Sequence, residues 1–221
     1  MNYISMENAT KIYTVGDSRF AALDKVDFYV KQGEYLAITG KSGSGKSTLL
    51  NMIGLIDKLD SGSLYLDGKE VGNLKEKEKA IIRNNKIGYI FQSFYLEPTY
   101  SVMTNVEMPL IIAGVPKKER KERVKTLLEQ VGMLDKIKNK ACELSGGEKQ
   151  RVCIARALVN DPGIILADEP CGNLDSANAS VVLNLLSEFN KKGKSIVLVT
   201  HNMDDTKYAD RKITMKDGKI V

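Results

Sequence analysis

The chain has 221 residues, 43% of them hydrophobic and 28% charged, which is enough for one substantial core or a core with a small subdomain. The net charge of +5 is not that of a nucleic-acid platform: in Lys117-Lys118-Glu119-Arg120-Lys121-Glu122-Arg123 acids alternate with bases as on a solvated helix face, and no basic stretch is interleaved with aromatics. Apolar runs fall far short of the roughly 20 residues that span a bilayer, Met1-Asn2-Tyr3-Ile4-Ser5 shows no secretory pattern, and Cys142, Cys153 and Cys171 form no CxxC pair; a cytoplasmic protein with reduced thiols is expected.

Val26, Phe28 and Val30 alternate with polar residues, the pattern of a half-buried strand. After the Lys31-Gln32-Gly33-Glu34 turn comes a short apolar strand, Tyr35-Leu36-Ala37-Ile38-Thr39, then a glycine-rich loop and a helix pattern from Lys46 to Ile56. Ser63 to Leu66, closed by an Asp67-Gly68 turn, and Lys86 to Phe91 read as further strands. From about Val102 to Cys142 the pattern is helical and Lys/Glu-rich, with Pro98, Pro109 and Pro116 at bends or helix starts. Strands return at Gly163–Asp168, Ser195–Thr200 and Lys212–Met215, with a helix over Ser176–Lys191 between the first two. Strand, helix and strand in repetition predict an α/β fold with a parallel sheet, preceded by an antiparallel N-terminal β part and interrupted by a helical subdomain. One domain over 1–221 is expected, with that subdomain at about 93–160.

Residues 40–48, Gly40-Lys41-Ser42-Gly43-Ser44-Gly45-Lys46-Ser47-Thr48, lie between strand and helix and have the form of a triphosphate cradle. The glycines let the loop turn its backbone N–H groups inward as an anion nest, and the helix start adds its positive dipole end. Lys46 is expected on the β- and γ-phosphates, and the Ser47 hydroxyl on Mg²⁺. The apolar strand ending in Asp168-Glu169 places two carboxylates at the same edge of the sheet: Asp168 as a metal ligand, Glu169 as the general base for an attacking water.

Leu144-Ser145-Gly146-Gly147-Glu148-Lys149-Gln150-Arg151, read as lying just before a helix from Val152 to Val159, strongly resembles the signature sequence of the ATP-binding cassette family. Ser145, Gly146, Gly147 and Glu148 would form a second anion site, and the resemblance implies a head-to-tail homodimer in which each ATP lies between one cradle and the partner's signature loop. It also implies that Gln92 reaches metal and water, that Asp175 in Gly172-Asn173-Leu174-Asp175 lies at the dimer seam, that His201 contacts the γ-phosphate, and that Tyr13 stacks on adenine. Cys171 departs from the family's usual Thr or Ser and raises the expectation of sensitivity to thiol reagents.

The resemblance narrows at Ala21-Ala22-Leu23-Asp24, Leu49 to Asp57 and Tyr89 to Leu96, which look like a subfamily of macrolide exporters, lipoprotein-release systems, bacitracin and antimicrobial-peptide resistance transporters and a cell-division complex. It implies an ATP- and Mg²⁺-dependent ATPase subunit peripheral on the cytoplasmic membrane face. A separate integral permease would dock near Gln92–Leu96 and export or remove antimicrobial peptides, antibiotics or lipoproteins. A non-transport membrane complex of the cell-division type is the alternative; a phosphotransferase fits the signature less well, and no nucleic acid is expected.

Overall fold

The structure, a computed structural model, describes residues 2–221. In chain order its elements are β1 (Asn2–Val15), β2 (Ser18–Lys31), β3 (Tyr35–Thr39), α1 (Lys46–Ile53), β4 (Ser61–Leu66), β5 (Lys69–Glu70), α2 (Glu76–Lys86) and β6 (Ile87–Ile90). There follow α3 (Val102–Ile112), α4 (Lys117–Gln130), α5 (Gly146–Leu158), β7 (Ile164–Asp168), α6 (Ser176–Lys191), β8 (Ser195–Val199), β9 (Arg211–Lys216) and β10 (Lys219–Ile220).

Two sheets form. One is antiparallel in the order β2-β1-β4-β5; the other runs β10-β9-β3-β8-β7-β6, parallel except for the β9–β10 hairpin at its edge. The central strands are apolar on both faces, as a covered parallel sheet requires. Alternate residues therefore enter two different cores. Leu36, Ile38, Ile164, Leu166, Val197 and Val199 face α1 and the antiparallel sheet. Tyr35, Ile165, Ala167, Ile196 and Leu198 face the helical side, with Val106, Val152, Ile154 and Leu186. Helix α4 buries Val124 and Leu128 and leaves most of its charges outside, while the half-buried Arg120 reaches Glu107 on α3 at 3.1 Å. No helix among the described residues is long and apolar enough to cross a membrane.

Three local differences from the sequence reading have physical causes. Strand β1 was not anticipated at its full length because bulges, with Asn8 at φ 47°, break its alternation. Helix α2 has only Ala80, Ile81 and Ile82 as apolar residues, adjacent in sequence and too few to repeat at helical spacing, so it offers no apolar stripe to read. Helix α1 stops at Ile53, not Ile56, because Leu55 turns left-handed (φ 55°) and the Ile56 amide bonds back to the Asn51 carbonyl at 2.9 Å.

Candidate nucleotide site

The loop after β3 is threaded between two backbones. At Gly40 (φ 148°) an added Cβ would meet the Met215 carbonyl oxygen at 2.3 Å, and at Gly45 (φ 102°) that of Ala22 at 2.3 Å. Only glycine fits both the space and the dihedrals. The loop curls around Lys46, whose Nζ donates to the Gly40 and Lys41 carbonyls at 2.9 Å each. Ser42, Gly43, Gly45, Lys46, Ser47 and Thr48 line a cleft of about 540 Å³; Gly40, Lys41 and Ser44 turn to the opposite side, against Thr214–Asp217.

The far wall of the cleft comes from the carboxyl ends of three other parallel strands, the edge where open α/β sheets bind ligands. After β6 comes Gln92, after β7 Glu169, and after β8 His201. Asp168, the last residue of β7, accepts a hydrogen bond from Ser47 Oγ at 3.3 Å. Burial raises the Asp168 carboxyl above its usual range, with the Glu169 charge adding and Ser47 and Lys46 opposing. A cation placed there would relieve that cost. The donors available, hydroxyl, carboxylate and amide oxygen, are those that suit a hard divalent ion such as Mg²⁺.

Glu169 adopts φ 45°, a left-handed conformation held by its amide bonding to the Val199 carbonyl at 2.9 Å and by the Gly172 amide bonding to its own carbonyl at 3.0 Å. Such strain, of order 1–3 kcal/mol, persists where surroundings over-determine it. It turns the carboxylate toward His201, whose Nδ1 lies 3.1 Å from Glu169 Oε2.

Tyr13 lines the same cleft, but its hydroxyl is committed: it donates to Asp57 Oδ2 at 3.0 Å, and the buried Lys11 ammonium donates to Asp57 Oδ1 at 2.9 Å. Burial raises the Tyr13 hydroxyl pKa, and the Asp57 carboxylate raises it further. Burial would lift Asp57 as well, yet the bonds from Lys11, the Lys58 amide and Tyr13 hold it below the usual carboxylate range. Phe20, 5.9 Å from Tyr13 between ring centroids, is the aromatic neighbour the sequence reading missed. Its signal was an apolar aromatic beside the Gly16-Asp17 turn.

None of Ser145, Gly146, Gly147 or Glu148 lines this cleft. They open α5 itself, which starts at Gly146 and not at Val152, because Ser145 and Glu148 form a capping box: the Ser145 amide donates to Glu148 Oε2 at 2.8 Å and the Glu148 amide to Ser145 Oγ at 3.4 Å. The backbone hydrogen bond from Ser145, foremost, holds the Glu148 carboxyl below its usual range. A Cβ on Gly147 would fall 2.1 Å from Asn178 Oδ1, so the first turns of α5 and α6 are in contact. Asp175 caps α6 through the Asn178 amide at 2.8 Å. Toward its other end, α5 grips the loop after Gln92: Arg156 Nη2 donates to the Phe94 carbonyl at 2.8 Å and Cys153 Sγ to the same oxygen at 3.2 Å.

The Cys171 thiol packs toward the Ala179 carbonyl at 3.8 Å, and burial pushes its pKa up to about 12. Burial thus favours the protonated thiol, the less nucleophilic form. Neutral N-ethylmaleimide should therefore label the exposed Cys142 and leave Cys171 unlabelled by peptide mass mapping, in place of the sensitivity anticipated from sequence.

The family model described as ABC transporter matches residues 23–172. The chain belongs to the ABC transporter family. As an ABC cassette it is 48% identical over 202 residues to the lipoprotein-releasing system ATP-binding protein LolD of Aquifex aeolicus, covering 91% of this chain and 90% of that protein. It is 46% identical over 218 residues to the macrolide export ATP-binding/permease protein MacB of Chlorobaculum tepidum, covering 99% of this chain but 33% of that longer protein. The cassette MJ0796, solved as a dimer in a post-hydrolysis state with ADP and Pi, superposes with a TM-score of 0.91 at 40% identity, covering 98% of this chain and 96% of that one. The chain is thus an ATP-binding, ATP-hydrolysing ABC cassette of a transporter.

Proposed function

We propose that residues 1–221 act as one nucleotide-binding domain, with the helical arm at about 93–160, which hydrolyses Mg-ATP as a head-to-tail homodimer on the cytoplasmic face of a membrane. The observation that carries this reading is the separation just described: Lys46, Glu169 and His201 share a cleft from which this chain's own Ser145–Glu148 is absent. A second copy would supply those groups to the open side of the bound ATP, with Asp175 at the seam.

Within the site, the amides of the cleft-lining loop residues Ser42, Gly43, Gly45, Lys46 and Ser47, with the Lys46 ammonium, hold the β- and γ-phosphates. Ser47, Asp168 and Gln92 would hold Mg²⁺, which neutralises phosphate charge when bound. Glu169 accepts the proton of the attacking water, the water oxygen bonds to the γ-phosphorus, and the bridging oxygen leaves with ADP. His201, its Nδ1 beside Glu169, contacts the γ-phosphate, and Tyr13 with Phe20 offers aromatic faces to the base.

The partner is a separate integral permease, docked on the loop after Gln92. Leu96 packs into the helical-side core, whereas Tyr95 is 70% exposed, resting edge-on against Phe91 at 5.2 Å. Similarity to LolD and MacB supports a permease that exports or removes lipoproteins, antibiotics or antimicrobial peptides. Isolating the native complex and identifying the co-purifying membrane protein tests this; recovery of the cassette without a membrane partner would overturn it. Tyr95 sits at φ 45°, which Asp also tolerates, so Tyr95→Asp should preserve the isolated chain's ATPase rate while abolishing stimulation by the permease in proteoliposomes. Loss of both rates would assign Tyr95 to folding instead.

A further inference from the structure

The residues on either side of His201 belong to a closed set of hydrogen bonds centred on a buried carboxylate. Thr200 continues β8, its amide donating to the Ile38 carbonyl at 3.1 Å. Its hydroxyl donates to Asp205 Oδ2 at 2.7 Å and accepts from the Asn202 amide at 3.0 Å. Asn202 Nδ2 donates to Asp205 Oδ1 at 3.1 Å, while Asn202 Oδ1 accepts from the Asp204 amide at 3.0 Å. Asp205 is 4% exposed, and among the described residues no Lys or Arg forms an ion pair with it. A buried carboxylate without a cation survives only on its hydrogen-bond donors. Here the side-chain donors are the two residues that flank His201.

We propose that Asp205 is a positioning residue for His201, pinning Thr200 and Asn202 so that the imidazole is held toward Glu169 and the cleft. The proposal rests on the reading of His201 as the γ-phosphate contact. It explains why an exposed side chain on a loop can hold a fixed geometry: the loop is tied from below, to β3 through Thr200 and to the following turn through Asp205.

The donors and acceptors in the set run in one direction. The Asp204 amide can only donate, so Asn202 must present its oxygen there and its NH₂ to Asp205. In Asp205→Asn, the new amide can accept from Thr200, but its NH₂ then faces the NH₂ of Asn202. In Asn202→Asp, two carboxylates face each other across the same gap. Combining Asn202→Asp with Asp205→Asn restores every bond with the direction of one reversed. Thr200 then donates to the amide oxygen introduced at position 205, and the NH₂ beside it donates to the carboxylate introduced at position 202. That carboxylate also accepts from the Asp204 amide.

His201 is the single histidine of the chain, so imidazole NMR signals of the ¹⁵N-histidine-labelled full-length protein report on it alone. Each single exchange should shift or broaden those signals. Each should also lower ATPase kcat by about 10-fold, the scale of a displaced catalytic group, with KM for ATP within about twofold. The double exchange should recover both the signals and the rate. Unchanged His201 signals in both single variants would overturn the proposal, as would a double variant that melts like the wild type yet keeps the defect. His201→Ala separates the two levels. Wild-type turnover in that variant removes the γ-phosphate reading of His201, while the imidazole spectra still decide whether Asp205 positions the ring.

Discussion

Glu169→Gln is expected to bind Mg-ATP with near wild-type affinity and to turn over about 10²- to 10⁴-fold more slowly, the range general-base catalysis contributes. Glutamine keeps the length and shape of the side chain, and its amide can still meet His201 Nδ1, 3.1 Å from Glu169 Oε2 in the present geometry. The left-handed backbone is held by main-chain partners that the exchange does not touch. What disappears is the group able to take the proton of water. With hydrolysis blocked, ATP stays in the cleft and the closed dimer should accumulate. Light scattering with size exclusion in Mg-ATP checks this together with single-turnover hydrolysis. A monomer mass in ATP would remove the sandwich dimer, and turnover within about 10-fold of wild type would remove the base role.

Lys46→Ala is expected to weaken ATP binding by roughly 10- to 100-fold, the loss of charge-assisted hydrogen bonds worth about 1.5–3 kcal/mol. The Nζ now bridges the Gly40 and Lys41 carbonyls at 2.9 Å each, which holds the charge at the centre of the loop where phosphates would enter. Removing it deletes the charge and loosens the loop around it. The apolar face of α1, Leu49, Leu50, Met52 and Ile53, is untouched, so thermal unfolding should shift little. Isothermal titration with ATP reads the affinity. A change below about twofold would deny Lys46 its phosphate role.

Much of the architecture was legible because it is written in local chemistry. Both-face apolar strands announce a covered parallel sheet, and Tyr35–Thr39, Ile164–Asp168 and Ser195–Val199 carry that pattern. Gly40 and Gly45 mark a phosphate loop because no other residue fits their dihedrals and space. Helix α6 matched its reading at both ends because Asp175 caps it and its apolar face is regular. Elements without such marks stayed hidden: the bulged β1 and the polar α2. The start of α5 was misplaced because Gly146 and Gly147 look like loop residues until Ser145 and Glu148 close the capping box around them.

By itself, then, the sequence determined the parts: a phosphate loop, a strand ending in two acids, a signature segment and a lone histidine. Each is a short stretch whose backbone geometry or cap requires those residue types. Only the tertiary structure decided which parts meet. The strand order β9-β3-β8-β7-β6 differs from chain order, and it brings Lys46, Gln92, Glu169 and His201 to one edge while leaving Ser145–Glu148 outside their cleft. The same long-range packing joins Tyr13 to Asp57 and Phe20, and seats Asp205 beneath His201. Such contacts follow from which faces of the two sheets are buried together, a property of the whole fold that no local pattern contains.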